Sequence, residues 1–139
     1  LIMKNNLTTL IVDDDKLALH YIRRTAEELQ IPGMFHTAEN GQEALETMES
    51  LHAAYDKFLV LLDINMPVMN GWDFLTALGS KPFKEKAMVI IVTSSTAKAD
   101  KDKSKDFKEV IGFIEKPLAI NTLKEVLSLF DNNLIVPKN

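Results

Sequence analysis

Asp13-Asp14-Asp15, Asp63, Thr93-Ser94 and Lys116 are the residues of this chain whose types could do chemistry together. Each group follows a short apolar run: Leu7–Val12 before the acidic triplet, residues 58–62 before Asp63, residues 88–92 before Thr93, and residues 111–114 shortly before Lys116. Runs this short and this apolar read as strands of a parallel sheet buried on both faces. Right-handed crossovers would bring their ends to one edge of that sheet, where open α/β sheets place their ligands. Carboxylates converging from two strands repel and raise each other's pKa unless a cation sits between them. A hard divalent ion answers that, and Mg2+ suits a few carboxylates plus a phosphate. A lysine and a hydroxyl at the same edge complement phosphoryl oxygens by charge-assisted hydrogen bonds. The expectation is a Mg2+-assisted phosphoryl site with Asp63 as the nucleophile that accepts the group.

Taken singly, each residue has a plainer reading. The acidic triplet could be a helix N-terminus stabilised by its dipole, with Asp14 or Asp15 as the cap. Asp63 alone would be a solvated strand end, and Lys116-Pro117 an ordinary loop. Their joint placement favours the charged site. His20, His36 and His52 do not cluster in sequence and are expected at the surface.

The elements that must position these residues follow from pattern. The chain has 139 residues, 46% of them hydrophobic, which suits one compact domain with a real core. It has no Cys, which excludes disulfides and thiolate chemistry. A net charge of -4 argues against a basic nucleic-acid surface. No apolar run reaches membrane-span length and no signal-peptide core precedes residue 7, so the cytoplasm is the expected compartment. Leu1-Ile2 precede Met3 and read as an added remnant within an N-terminal extension over residues 1–6. Strands at Leu7–Val12, Met34–Ala38, residues 58–62, 88–93 and 111–115 alternate with helices at residues 16–29, 41–51, 70–78 and 120–130. Residues 98–109 should hold the fourth helix but are nearly all Lys and Asp, with Phe107 the one large apolar residue. Opposite charges at i,i+3 and i,i+4 support a helix there only weakly, so a short or mobile one is expected, with a solvated face. Residues 133–139 read as a loose tail.

Four of these marks together resemble the receiver domain of two-component response regulators. They are Val12-Asp13-Asp14, the run from Asp63-Ile64-Asn65-Met66-Pro67 to Asn70-Gly71, Thr93 after the fourth strand, and Lys116-Pro117 after the fifth. The resemblance spans residues 7–130, and the domain is placed at 7–132. It implies a flavodoxin-like α/β fold: a doubly wound, five-stranded parallel sheet of order 2-1-3-4-5 with helices on both faces. It further implies that Asp63 is the phosphoacceptor and that Mg2+, with Mn2+ as a substitute, is held by Asp13, Asp14, Asp63 and the backbone carbonyl of Asn65. Lys116 would pair with the phosphorylated aspartate, Thr93 and its neighbour Ser94 would meet the phosphoryl group, and Phe113 would be the switch aromatic. Asn65 and Ser95 stand where the family tunes phosphate lifetime. Residues 106–111 depart from the Ala- and Gly-rich end that the family often gives its fourth helix.

The implied partners are a sensor histidine kinase or a histidine phosphotransfer protein, and an unidentified downstream protein, with neither nucleic acid nor membrane. The chain reads as a stand-alone receiver, a monomer or a weak phosphorylation-dependent dimer, and not as a turnover enzyme. Leu17, Ala18 and Tyr21 add apolar surface beyond one core stripe of the first helix. Ala18, Tyr21, Pro117 and Leu118 are therefore the candidate partner contacts. Two rivals remain: a phosphorylation-independent pseudo-receiver, and a Mg2+-dependent phosphohydrolase of the haloacid-dehalogenase kind using Asp13 and Asp15. Lys16-Leu17 and the short connections argue against the second.

Overall fold

The computed structural model describes residues 6–130. The strands β1 (Leu7–Val12), β2 (Met34–Ala38), β3 (Lys57–Leu62), β4 (Ala87–Thr93) and β5 (Val110–Glu115) alternate with α1 (Lys16–Glu28), α2 (Gly41–Leu51), α3 (Gly71–Leu78), α4 (Lys98–Ser104) and α5 (Ile120–Phe130). They form one parallel sheet in the order β2-β1-β3-β4-β5, the doubly wound arrangement that was expected. The expectations for most of the N-terminal extension and for the 133–139 tail lie outside the described residues. No helix among the described residues is long and apolar enough to cross a membrane.

Alternation along each strand divides the core in two. Val12, Val60, Leu62, Val89 and Ile91 pack with Met48 of α2 and Phe74 and Leu78 of α3. Ile11, Leu59, Leu61, Ile90 and Val92 pack with Leu19 and Ile22 of α1 and Leu123 and Leu127 of α5. Covering both faces is what requires the continuous apolar runs. Each fully buried Leu, Ile or Phe is worth about 1.5–3 kcal/mol. β1 and β4, buried throughout, and β3, buried from Phe58 onward, are therefore a stiff platform for whatever sits at their ends.

The helix starts are built by short polar side chains. Asp15 accepts from the Leu17 N–H, Asn40 from Glu43 and Asn70 from Asp73, each satisfying a donor the helix cannot. Gly71 follows Asn70 because the chain doubles back there: a Cβ on it would lie 2.7 Å from the Asp63 carbonyl oxygen.

α4 is held differently. It has seven residues, no side-chain cap bond, and only Ser104 buried. Beyond its end Phe107 stacks on Trp72 at 5.9 Å, and Lys103 lies 4.8 Å from the same ring. Such contacts add about 0.5–1.5 kcal/mol each, against the four buried residues that anchor α1. The short fourth helix read from the sequence is present, and it is the helix with the least burial behind it.

β5 contains a device the sequence did not announce. Its register passes from Val89↔Val110 to Ile90↔Gly112, leaving Ile111 as an extra residue, a β-bulge. The bulge puts Ile111 with the α1/α5 core and re-aims Phe113 at the α2/α3 core. Gly112 lets α5 close on the strand, since a Cβ there would meet Val126 Cγ1 at 2.6 Å. Gly112→Ala is expected to cost about 1–3 kcal/mol in urea denaturation, with part of the loss recovered in the Gly112→Ala/Val126→Ala double variant. An unchanged midpoint for the single variant would contradict this packing.

Candidate functional site

β1 and β3 are neighbours in register, with Val12 opposite Leu62, so Asp13 and Asp63 each leave the sheet one residue further on. Backbone bonds hold both in line: Asp13 N–H donates to Ala38 O and Asp63 N–H to Val12 O. Asp13 is 1% exposed and Asp63 6%, whereas Asp14 is exposed. A carboxylate oxygen from each of the three lies within 4.8 Å of one from both others. Lys116 enters from the end of β5, where its N–H donates to Thr93 O. Its Nζ donates to Asp13 Oδ2 at 2.6 Å and lies 3.9 Å from Asp63 Oδ2.

Burial pushes the Asp63 carboxyl up, from an ordinary 3.8 to about 6. The adjacent Asp13 charge adds to the rise, while Lys116 and the backbone N–H groups of Asn65 and Ile64 oppose it. One lysine thus serves two buried carboxylates and leaves a surplus of negative charge. Three hard oxygen donors with uncompensated charge are the donor set that Mg2+ takes up. The residues present fit that ion.

Comparison with known proteins gives the family. A family model described as the response regulator receiver domain matches residues 9–128. The chain belongs to that family. Two-component response regulator 24 of Arabidopsis thaliana is 31% identical over 126 residues, covering 89% of this chain and 84% of that protein. Autoinducer 1 sensor kinase/phosphatase LuxN of Vibrio harveyi is also 31% identical, over 86% of this chain but only 13% of its own length. Among solved structures, the CheX–CheY–BeF3–Mg2+ complex of Borrelia burgdorferi contains a chain that superposes with a TM-score of 0.75 at 27% identity, covering 89% of each chain.

The receiver domain gathers Asp13, Asp14, Asp63 and Lys116 at one point, and it spreads the other sequence-derived candidates around it. Asn65 is exposed in the loop after Asp63. Thr93 is fully buried at the end of β4, one strand from Asp63, and Ser94 after it is exposed. Phe113 is half-buried opposite Ile91, two residues before the Thr93↔Glu115 pair. Asp15 Oδ1 caps α1, which takes it away from the Asp-x-Asp role that a haloacid-dehalogenase site would need. Sequence reasoning had no sign of the direct Lys116–Asp13 bond, which spans 103 positions.

Two expectations need correction. Leu118 is 1% exposed and packs in the α1/α5 core, so it is no partner contact; an apolar residue just after Pro117 was read as surface when it closes the core under α5. Its carbonyl accepts from the Tyr21 hydroxyl at 3.1 Å. Of the four proposed contacts Tyr21 and Pro117 are exposed and Ala18 is half-buried. His36 and His52 are half-buried rather than surface residues, and His52 stacks on Phe83 at 4.9 Å.

A carboxyl whose pKa is raised by folding binds its proton more tightly in the folded state. It therefore stabilises least above its folded pKa, and its cost develops as pH rises from about 4 through about 6. At about 1.4 kcal/mol per pKa unit the cost at neutral pH is on the order of 3 kcal/mol. Asp63→Asn removes it. With chelator present, the variant should melt above the unmodified chain at pH 7.5 and lose most of that advantage at pH 4. Equal melting temperatures at pH 7.5 would show that Asp63 carries no such strain.

Proposed function

We propose that this receiver domain accepts a phosphoryl group on Asp63 from the phosphohistidine of a sensor histidine kinase or histidine phosphotransfer protein, with Mg2+, and so switches a protein-binding surface. The observation that carries the reading is the convergence of Asp13, Asp14 and Asp63 within 4.8 Å, with Lys116 reaching two of them. Membership of the receiver family and the likeness to a CheY described with BeF3 and Mg2+ support it.

Asp13, Asp14 and Asp63, with the Asn65 carbonyl, would hold Mg2+ or Mn2+, whose charge offsets that of the carboxylates and of the incoming phosphoryl oxygens. Asp63 is the nucleophile, ionised at neutral pH although its pKa is raised to about 6. One of its oxygens bonds to phosphorus as the phosphorus–nitrogen bond of the donor breaks, and the leaving imidazole keeps the electron pair and takes up a proton. Lys116 Nζ, 3.9 Å from Asp63 Oδ2, would pair with the new phosphoryl oxygens. The Thr93 hydroxyl then turns to the phosphoryl group and the Phe113 ring follows it inward, biasing a two-state equilibrium. The group is taken up once and later lost, so the domain is a phosphoacceptor and not a turnover enzyme, acting in the cytoplasm where such kinases present their phosphohistidine.

Intact mass after incubation with acetyl phosphate and Mg2+ tests this. One labile phosphoryl group is expected on the unmodified chain and none on Asp63→Asn or with chelator. Absence of any adduct on the unmodified chain, with Mg2+ bound, would turn the reading to a binding module that works without phosphorylation.

A further inference from the structure

Thr93, Ser95 and Asp100 form a chain of hydrogen bonds from the end of β4 into the first turn of α4. The Ser95 N–H donates to Thr93 Oγ1 at 3.2 Å, and the Ser95 hydroxyl donates to Asp100 Oδ2 at 2.6 Å. The Ala97 N–H donates to Ser95 Oγ at 3.2 Å. Ser95 is thus held from both sides, by a carboxylate of the helix and an amide of the loop. Thr93 is 0% exposed, so no bulk water replaces the Ser95 amide as the donor to its hydroxyl oxygen. At its start α4 has no side-chain cap bond at Ala97, and along its length it buries only Ser104. Few contacts oppose its displacement.

We infer that Asp100 is a positioning residue for the phosphoryl site: by holding Ser95 it fixes the amide that pins the Thr93 hydroxyl in its present place. The inference rests on the proposed phosphoacceptor role, in which that hydroxyl must turn to the phosphoryl group. Turning it gives up the Ser95 bond and loosens Asp100, so phosphorylation and the Asp100 latch draw on opposite sides of one equilibrium. Linkage is reciprocal: releasing Asp100 favours the phosphorylated arrangement, and phosphorylation frees the start of α4. Bare charge makes a separate claim, because removing any anion near an anionic ligand would also favour binding. Asp100→Asn separates the two, since it loses the charge and keeps an oxygen that accepts from Ser95.

The test is binding of BeF3- in the presence of Mg2+, followed by 19F NMR on the full chain, with Trp72 fluorescence reporting the far end of α4. Asp100→Ala is expected to half-saturate at about fivefold lower concentration, the size of one side-chain hydrogen bond. Asp100→Asn should stay within about twofold of the unmodified chain, Ser95→Ala should match Asp100→Ala, and Asp100→Ala should add nothing in the Ser95→Ala background. Unchanged or weaker binding by Asp100→Ala, an Asn variant that behaves like Ala, or an undiminished effect without Ser95 would each overturn the inference. Should Asp100→Ala lose its circular dichroism, Ser95→Ala alone decides, with unchanged binding as the refuting result. An unmodified chain that takes up neither BeF3- nor acetyl phosphate removes the phosphoacceptor reading itself. Normal uptake with unresponsive variants removes only the latch.

Discussion

Asp13 and Asp63 are both buried at the ends of adjacent strands, and the rest of the molecule is arranged around the repulsion between them. The two faces of the sheet hold them there: neither strand end can retreat without exposing the apolar runs behind it. Lys116 bonds to Asp13 and reaches toward Asp63, yet one positive charge does not settle two buried negative ones plus Asp14. Burial first, and the Asp13 charge after it, push the Asp63 pKa up to about 6 against the pull of Lys116. A stiff scaffold thus keeps three carboxylates short of positive charge, a donor set that fits a hard cation.

The same scaffold is uneven in a useful way. β1, β3 and β4 are buried along nearly their whole length, whereas α4 rests on one buried serine, a loop of hydrogen bonds at its start and the Trp72–Phe107–Lys103 stack at its end. Interactions of about a kcal/mol each can be exchanged by a ligand, but a buried strand cannot. The bulge at Ile111 belongs to the same division, because it turns Phe113 toward the α2/α3 side of the sheet and shifts the register by one residue, so that Thr93 pairs with Glu115.

Much of this was legible in the chain because it is governed by local rules. Strands covered on both faces must be continuously apolar, so residues 58–62 and 88–92 declared themselves, and the first polar residue after each marked an edge. Asn40-Gly41 and Asn70-Gly71 read as turns and serve as helix caps, since a short side chain that satisfies a backbone donor does so from its own neighbourhood. The alternation of strand and helix implied a parallel sheet, and the order of the acidic and basic marks pointed to the family, whose resemblance implied the doubly wound order.

Other features depend on distance in space and left no local trace. Whether Asp14 or Asp15 caps α1 is decided by where the end of β1 lies against α1, although the resemblance already named Asp13 and Asp14 as the pair that joins Asp63. Leu118 resembles a loop residue by position, yet the approach of α5 to the sheet buries it. A bulge costs only one extra residue in a strand, and Gly112 is its sole hint. The Ser95–Asp100 bond and the Lys116–Asp13 bond join groups whose meeting requires the finished fold. The sequence by itself determined the sheet, its edges and the kinds of charge at them, because burial periodicity and capping are short-range constraints. Which charges touch was settled by the folded structure alone, because those contacts follow from packing between elements far apart along the chain.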